Sequence, residues 1–213
     1  MKHIVITIVA VLLVGCWNKA ERALHTAAKQ GNIDSVRKAI DDGVNVDTVG
    51  YEGRTPLHEA AFAGHKDTVA FLVSKGADVN VRDILCVTPM YWAAAGGHKD
   101  TVEFLASKGA DINARDGVIE AQSTGVVPLA NTRWTPLHIA SSQGRIAVVE
   151  FLISHGAEVN TTDNDDETPL DWTRIINEHD TVEDNERKAR NCPKIADLLR
   201  KHGGKTGAEL KAE

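Results

Sequence analysis

The sequence predicts an all-α solenoid of about five stacked helix–turn–helix units. A tetrapeptide that opens with Thr-Pro recurs along the chain, starting at Thr55, Thr88, Thr135 and Thr168. Two of its three intervals are 33 residues, and the middle one is 47, which is the same period plus 14 residues. A second motif, Gly-Ala-(Asp/Glu)-(Val/Ile)-Asn, recurs with the same spacing and starts at Gly76, Gly109 and Gly156. A fixed period in this range is typical of repeat architectures.

Each unit contains the signals of two short helices. Thr55 is a good N-cap residue, and Pro56 stands at the first helical position, where its missing N–H is not needed. Gly64 is expected to end this first helix, and a second helix is expected to begin near residues 66–67. Its apolar residues Val69, Leu72 and Val73 have helical spacing and define one buried stripe. The corresponding stripes in later units are Val102, Phe104 and Leu105, then Val149, Phe151 and Leu152.

The recurring Thr-Pro and Gly-Ala-Asp-Val-Asn motifs resemble the ankyrin repeat, a 33-residue unit made of a turn and two antiparallel helices. The resemblance extends from about Ala20 to Gly203. It implies an ankyrin domain over residues 21–205, with terminal units whose outer faces are polar, followed by a C-terminal tail (206–213). We place the last helix at 193–202, with Ile195, Leu198 and Leu199 facing inward. The expected units are 21–52, 53–85, 86–116, 132–165 and 166–205.

The first sixteen residues have the pattern of an export signal. Lys2 and His3 precede an apolar run from Ile4 to Val14, which is too short to span a bilayer. The run ends in Leu-Val-Gly-Cys16, which resembles the bacterial lipobox. That resemblance implies cleavage after residue 15, lipidation of Cys16 and a short tether (16–20). An ordinary secretory signal and an uncleaved anchor remain open alternatives.

The sorting pattern known for such lipoproteins gives a localisation. Trp17, and not Asp, follows the cysteine, which favours the outer membrane of a two-membrane bacterium, with the protein facing the periplasm. Several acyl chains on one residue hold a protein firmly to a membrane, whereas one chain holds it only weakly.

Composition argues against several classes of function. A net charge of -6 disfavours a nucleic-acid partner, which normally requires a basic face. Cys16, Cys86 and Cys192 show neither metal-ligand spacing nor a disulfide framework. His25, His58 and His138 recur at one repeat position, so we interpret them as framework residues. We expect no cofactor, no metal and no catalytic site, because neither a nucleophile motif nor a phosphate-binding loop is present.

Two surfaces are candidates for binding a protein, since ankyrin proteins usually bind through hairpin-loop tips and the exposed face of the first helices. Phe62, Trp92 and Ile139 are expected to form an apolar line across three first helices. The loops add Tyr51, Ile84, Leu85 and Trp134. Exposed apolar patches often mark contact sites, and Trp and Tyr are favoured anchors. An alternative is that the first insertion folds back over this line.

Two insertions interrupt the period. The first (117–131) lengthens one hairpin loop, and its apolar residues, among them Ile119 and Val127, are consistent with a projecting β-hairpin. The second (177–191) separates the helices of the last unit. It is rich in charged residues, and we expect a solvated helical extension there.

These observations support one main hypothesis and two alternatives. The main hypothesis is a membrane-anchored scaffold that binds another protein in the bacterial envelope, with no requirement for an oligomer. The first alternative is an inhibitor or immunity factor that blocks an enzyme through the 117–131 loop. The second is a hydrolase or metal enzyme, for which the sequence offers no set of residues.

Overall fold

The computed structural model describes residues 18–117, 132–174 and 181–212 of the 213-residue chain. The described residues contain no β-strand, which confirms the all-α fold class. The helices follow in chain order as α1 (Lys19–Gln30), α2 (Ile33–Asp41), α3 (Pro56–Ala63), α4 (Lys66–Ser74), α5 (Pro89–Gly96), α6 (Lys99–Ser107), α7 (Pro136–Ser142), α8 (Ile146–Ser154), α9 (Val182–Lys201) and α10 (Gly207–Lys211). Short 3₁₀ turns lie at Tyr51–Gly53 and Asp171–Arg174.

The helix boundaries of the central units follow the sequence signals. A proline occupies the start of α3, α5 and α7. The hydroxyl oxygens of Thr88 and Thr135 accept hydrogen bonds from the backbone N–H groups of Tyr91 and His138, each at 3.4 Å. Gly64 ends α3 with φ at +76°, a left-handed conformation in which side chains are disfavoured. Thr55 and Gly64 therefore stand at the predicted ends of α3, while the Thr55 hydroxyl contacts the His58 ring at 3.0 Å.

One apolar core runs through the whole stack. First helices pack on first helices, and second helices pack on second helices, from one unit to the next. The predicted stripe residues Val69 and Leu72 are fully buried, and Val73 is partly buried against them. Full burial of such a side chain contributes about 1.5–3 kcal/mol. The equivalent fully buried aliphatic residues elsewhere in the stack include Leu24, Val36, Leu57, Val102, Leu105, Leu137, Val149, Leu152, Ile195 and Leu199.

Asparagine side chains connect neighbouring units at the end of the second helices. The amide nitrogen of Asn80 donates to the carbonyl oxygen of Gly109 (3.1 Å), and its amide oxygen accepts from the backbone N–H of Asp111 (2.9 Å). Asn113 and Asn160 make the same pair of bonds to the units that follow them. The last residue of the Gly-Ala-Asp-Val-Asn motif therefore couples each unit to the next.

A second set of links joins the start of each second helix to the first helix of the preceding unit. The links are His65 Nε2 to the Lys29 carbonyl oxygen (3.1 Å), His98 Nε2 to the Phe62 carbonyl oxygen (2.9 Å) and Arg145 Nε to the Ala95 carbonyl oxygen (2.9 Å). A Cβ atom at Gly64 would lie 2.3 Å from the His98 ring, so only glycine fits beneath it.

The last long helix differs from the prediction. We expected a helix over residues 193–202, but α9 is continuous over Val182–Lys201 and contains Pro193. It starts well before the proline because Thr181 caps it, accepting from the backbone N–H of Asp184 at 3.1 Å. Residues 182–191 of the second insertion are thus the first half of α9.

This first half of α9 is packed, and not fully solvated as expected. Arg187 Nε donates to the carbonyl oxygen of Gln143 (3.1 Å), and the amide nitrogen of Asn191 donates to that of Gly144 (2.9 Å). Lys188 is 1% exposed. The α9 helix therefore takes over, at the end of α7, the coupling role that His65, His98 and Arg145 have elsewhere.

The residues assigned to the C-terminal tail form α10, which lies on the fifth unit. The Asp171 carboxylate accepts from the backbone N–H groups of Thr168 (3.0 Å) and Gly207 (2.7 Å). Arg200 also pairs with Glu209 at 2.6 Å. Within the described ranges, no helix is both long enough and apolar enough to cross a membrane.

Candidate protein-binding surface

An aspartate closes each of the last three hairpin loops at the edge of the stack. The backbone N–H of Asp83 donates to the carbonyl oxygen of Val87 (3.1 Å), and Asp163 makes the same bond to Glu167 (2.9 Å). One carboxylate oxygen of Asp83 accepts from the backbone N–H groups of Leu85 (2.9 Å) and Val87 (3.0 Å). The loops are therefore held rigidly by side chains that lie within them.

The third aspartate closes its loop across the first insertion. The backbone N–H of Asp116 donates to the carbonyl oxygen of Trp134 (2.9 Å). The backbone N–H of Trp134 donates in turn to the Asp116 carboxylate (2.9 Å). The other carboxylate oxygen accepts from the Thr132 hydroxyl (2.7 Å). Residues 117–131 thus begin and end within an ordinary hairpin loop, whose base is intact.

Backbone hydrogen bonds join the loop tips of successive units into one edge. The N–H of Ile84 donates to the carbonyl oxygen of Glu52, and the N–H of Gly117 to that of Leu85, each at 3.1 Å. Asn164 makes the equivalent bond to Thr132, also at 3.1 Å. Side chains on these tips therefore have a fixed spacing.

Exposed apolar side chains occupy the first part of this edge. Tyr51 is 67% exposed and Ile84 is 46% exposed, while Leu85 is half-buried. Val49, which we did not single out from the sequence, is 61% exposed. We name Val49, Tyr51 and Ile84 the apolar tip cluster. Large apolar groups so exposed on a rigid edge are characteristic of contact sites.

Phe62 and Trp92 lie together on the neighbouring helices α3 and α5. Their rings meet edge-to-face with centroids 5.5 Å apart, and Phe62 remains 43% exposed. Trp92 is half-buried, because its indole N–H donates to the Asp83 carboxylate at 3.0 Å. The guanidinium of Arg54 covers its ring at 4.1 Å. Trp92 therefore stabilises the loop through Asp83, and only part of its surface can contact a partner.

Trp134 and Trp172 form a second aromatic cluster, in which indole N–H groups again donate to a loop aspartate. The Trp134 ring meets that of Trp172 at 4.3 Å, and both indole N–H groups donate to Asp163, at 3.2 and 2.8 Å. Sequence reasoning missed Trp172. Its place in the repeat could have revealed it, because Trp172 follows Thr168 by four residues, just as Trp92 follows Thr88.

The remaining predicted residues are either partly buried or lie outside the described part of the chain. Ile139 is half-buried and packs against the core. The apolar line is thus continuous from Phe62 to Trp92, whereas Ile139 has part of its surface packed against the core. Ile119, Val127 and the lipidation residue Cys16 lie outside the described residues, as does the predicted β-hairpin of the insertion.

Comparison with known protein families supports this architecture. A model described as ankyrin repeats in three copies matches residues 5–83, one described as ankyrin repeat matches 87–117, and one described as ankyrin repeats in many copies matches 126–171. The chain belongs to the ankyrin-repeat family. No curated protein matches this ankyrin-repeat chain as a relative. Repeats of this family imply that the chain binds another protein.

The recurring histidines of the ankyrin framework are structural. His58 Nδ1 accepts from the backbone N–H of Thr55 (3.0 Å), and its Nε2 lies 3.1 Å from the carbonyl oxygen of Val87 in the next unit. His138 repeats this arrangement in the fourth unit. Burial lowers the pKa of each ring to about 4, so both are neutral at physiological pH. This confirms the interpretation of these residues as framework.

In the fourth hairpin loop of the ankyrin stack, two acidic side chains are hydrogen-bonded or ion-paired, and the two described cysteines are buried. Asp163 accepts from the N–H groups of its own loop, and Asp166 pairs with Lys211 at 2.8 Å. Within the described part of the chain, no three metal-binding side chains cluster together. Cys86 and Cys192 are buried free thiols, and burial raises the pKa of each.

Proposed function

We propose that the chain is a lipid-anchored ankyrin scaffold of the bacterial envelope, which captures a partner protein through its hairpin-loop edge. The observation that carries the proposal is the apolar tip cluster, exposed on loops whose backbones are hydrogen-bonded to one another. A rigid apolar edge binds a partner with little loss of conformational entropy. Phe62 extends this surface onto α3.

The anchor is supported by the pattern of the first residues. A basic start, a short apolar run and Leu-Val-Gly-Cys16 agree with lipidation of Cys16. Asn18 caps α1, so only Trp17 and Asn18 separate the lipidated residue from the first helix. The stack would therefore lie against the membrane, and its partner would be membrane-bound or periplasmic. Trp17 after the cysteine favours the outer membrane.

Replacement of the predicted lipidation residue tests the anchor. Cells that make the full chain or its Cys16→Ser variant are labelled with an alkyne analogue of palmitate and then fractionated. The full chain and a Cys192→Ala control should carry label and sediment with membranes, while Cys16→Ser should lose both properties. Label on Cys16→Ser, or its continued sedimentation with membranes, would contradict the anchor.

Capture from envelope extract tests the scaffold. The bait is the full chain, and the test variant carries Tyr51→Ser, Phe62→Ser and Ile84→Ser. The matched control is Val182→Ser, since Val182 is 76% exposed at the start of α9, away from the loop edge. We expect one protein to be retained by the full chain and the control and lost by the test variant. Equal retention by all three would contradict binding at the apolar tip cluster.

The second candidate is an inhibitor that acts through the 117–131 loop. It is favoured by the intact loop base, in which Asp116 fixes both ends of the insertion on the binding edge. Deletion of residues 118–131 restores the 33-residue period and should leave the stack folded. A partner captured by the full chain and lost by this deletion would support the inhibitor. Retention of that partner would support the scaffold.

A further inference from the structure

We propose that the loop edge selects an extended partner segment in which apolar residues are followed by carboxylates. This inference rests on the proposed function and specifies the chemistry of the partner. It follows from a charge pattern beside the apolar tip cluster. The partner that fits this pattern is an acidic and apolar stretch of polypeptide.

The repeat position just before the loop aspartates changes character along the stack. It is Val49 in the first loop, Arg82 in the second, Arg115 in the third and Thr162 in the fourth. The tip position beside it is Tyr51 in the first loop and Ile84 in the second. At these positions the edge therefore carries apolar side chains in the first two loops and arginines in the second and third, where the neighbouring Asp83 and Asp116 are buried.

Arg82 is held in an exposed position. Its guanidinium donates to the carbonyl oxygens of Cys86 (3.0 Å) and Arg115 (2.8 Å), which places it between two adjacent loops. In residues 18–117, 132–174 and 181–212, neither Arg82 nor Arg115 has a carboxylate within ion-pair distance. Arg54, by contrast, pairs with Glu52 at 3.0 Å. Arg82, which is exposed, and Arg115, which is half-buried, can therefore each meet an outside anion.

The repeat spacing sets the spacing of the partner's residues. Packed helices lie about 8–10 Å apart. A chain in the extended polyproline II conformation rises about 3.1 Å per residue and has three residues per turn, so every third side chain lies on one face. A segment that crosses the loops therefore advances about three residues per unit. A side chain that meets Tyr51 in the first loop should accordingly be followed by carboxylates about three and about six residues along, opposite Arg82 in the second loop and Arg115 in the third.

An anionic membrane is the competing explanation for an edge with exposed apolar and arginine side chains. Val49, Arg82 and Arg115 occupy one repeat position in successive loops, so the apolar and basic side chains follow one line along the edge. A peptide strand matches such a line better than a plane does. We therefore assign the edge to a polypeptide.

Selection from a displayed library of random 12-residue peptides tests the proposal. The targets are the full chain in detergent, Arg82→Glu/Arg115→Glu, and the control Arg190→Glu/Lys194→Glu, which has the same net charge on the exposed part of α9. Arg115→Glu alone is a further target, since Arg115 makes no side-chain hydrogen bond among the described residues. Thermal unfolding confirms that each variant is folded.

The full chain and the control should enrich peptides with an apolar residue followed by Asp or Glu about three residues later. Affinity of such a peptide should fall about tenfold on the double variant, as expected from the loss of two surface ion pairs and the gain of repulsion. Enriched peptides without acidic residues, or equal affinity for all targets, would overturn the inference and leave the scaffold intact. Absence of any enrichment would also overturn the inference. The scaffold function is tested separately, by the capture of a partner from envelope extract.

Sedimentation with lipid vesicles tests whether the loop edge binds an anionic membrane surface. The same proteins are sedimented with vesicles of phosphatidylglycerol or phosphatidylcholine. We expect the arginine substitutions to leave sedimentation unchanged. A preference for phosphatidylglycerol that Arg82→Glu/Arg115→Glu abolishes would overturn the polypeptide assignment in favour of a membrane surface.

Discussion

The side-chain amide of one repeated asparagine determines the hydrogen bonding between neighbouring units. Three units use an asparagine whose amide both donates to and accepts from the next unit, as Asn80 does with Gly109 and Asp111. In the first unit Asp47 occupies this position, and a carboxylate has no N–H to donate. Its Oδ1 is buried without a partner. Burial and the charge of Asp78 raise the pKa of Asp47, although the Asp78 N–H donates to it.

Asp47→Asn should therefore stabilise the protein at neutral pH. The amide restores the missing donor, and one such hydrogen bond contributes about 1 kcal/mol to the free energy of unfolding. Because the folded pKa of Asp47 is raised, the natural chain gains stability as pH falls through that value toward 3.8, and the advantage of Asn should shrink there. Urea unfolding at pH 7 and pH 4 measures both effects. Asn80→Asp is the mirror control and should destabilise; a destabilised Asp47→Asn would contradict the account.

A second residue-scale effect concerns backbone strain in the loops. One loop position has positive φ in all four hairpin loops, and Gly53 occupies it in the first loop. Arg133 occupies it in the third loop with φ at +61° and is exposed. A side chain in this conformation costs about 1 kcal/mol.

Arg133→Gly should therefore raise the free energy of unfolding by about 1 kcal/mol, because glycine adopts this conformation without steric strain. Arg133→Ala is the matched control, since it removes the same side-chain atoms while keeping a Cβ atom. Thermal unfolding of the two variants should separate them. If alanine stabilises as much as glycine, backbone strain is not the cause.

At the scale of elements, the sequence predicted the short helices well and the long one poorly. Thr-Pro starts and glycine ends determine α3 and α5 locally, within a few residues of each boundary. The start of α9 was missed because Pro193 mimics a helix start, although Thr181 and Asp184 form a local capping signal upstream of it. The packing of Arg187 and Asn191 lies far away in sequence and could not be found locally. For the same reason the exposure of Trp92 was overestimated, since the loop that brings Asp83 to its indole is a tertiary feature.

The packed half of α9 should contribute measurably to stability. Asn191→Ala removes the hydrogen bond to the Gly144 carbonyl oxygen and leaves that partly buried oxygen unpaired, which costs about 1–3 kcal/mol. Arg190→Ala alters the exposed neighbouring position and should change the free energy of unfolding by less than about 0.5 kcal/mol. Chemical denaturation of the two variants tests the difference. Equal values would show that this half of α9 does not stabilise the stack.

For the whole molecule, the repeated histidines couple stability to pH. His58 and His138 each link two units and are neutral when folded. Their folded pKa values of about 4 lie below the ordinary value of 6.5. Their stabilising contribution is therefore complete above pH 6.5 and is lost as pH falls toward 4.

The free energy of unfolding should accordingly fall between pH 6.5 and pH 5, where ordinary carboxylates remain ionised. Each of the two histidines adds up to about 1.4 kcal/mol per pH unit to this slope. In His138→Gln the slope should be smaller by one such contribution, although the variant is less stable at every pH. Urea unfolding across pH 5–8 gives both slopes. An unchanged slope in His138→Gln would contradict this origin of the pH dependence.

Binding by the loop edge is the central claim for the whole molecule, and site-specific photo-cross-linking in intact cells tests it most directly. A benzophenone amino acid replaces Ile84 on the edge or, as the control, Ala147 on the exposed side of α8. We expect one discrete adduct of higher mass from position 84 and none of that mass from position 147. No adduct from position 84, or the same adduct from position 147, would contradict binding at the loop edge.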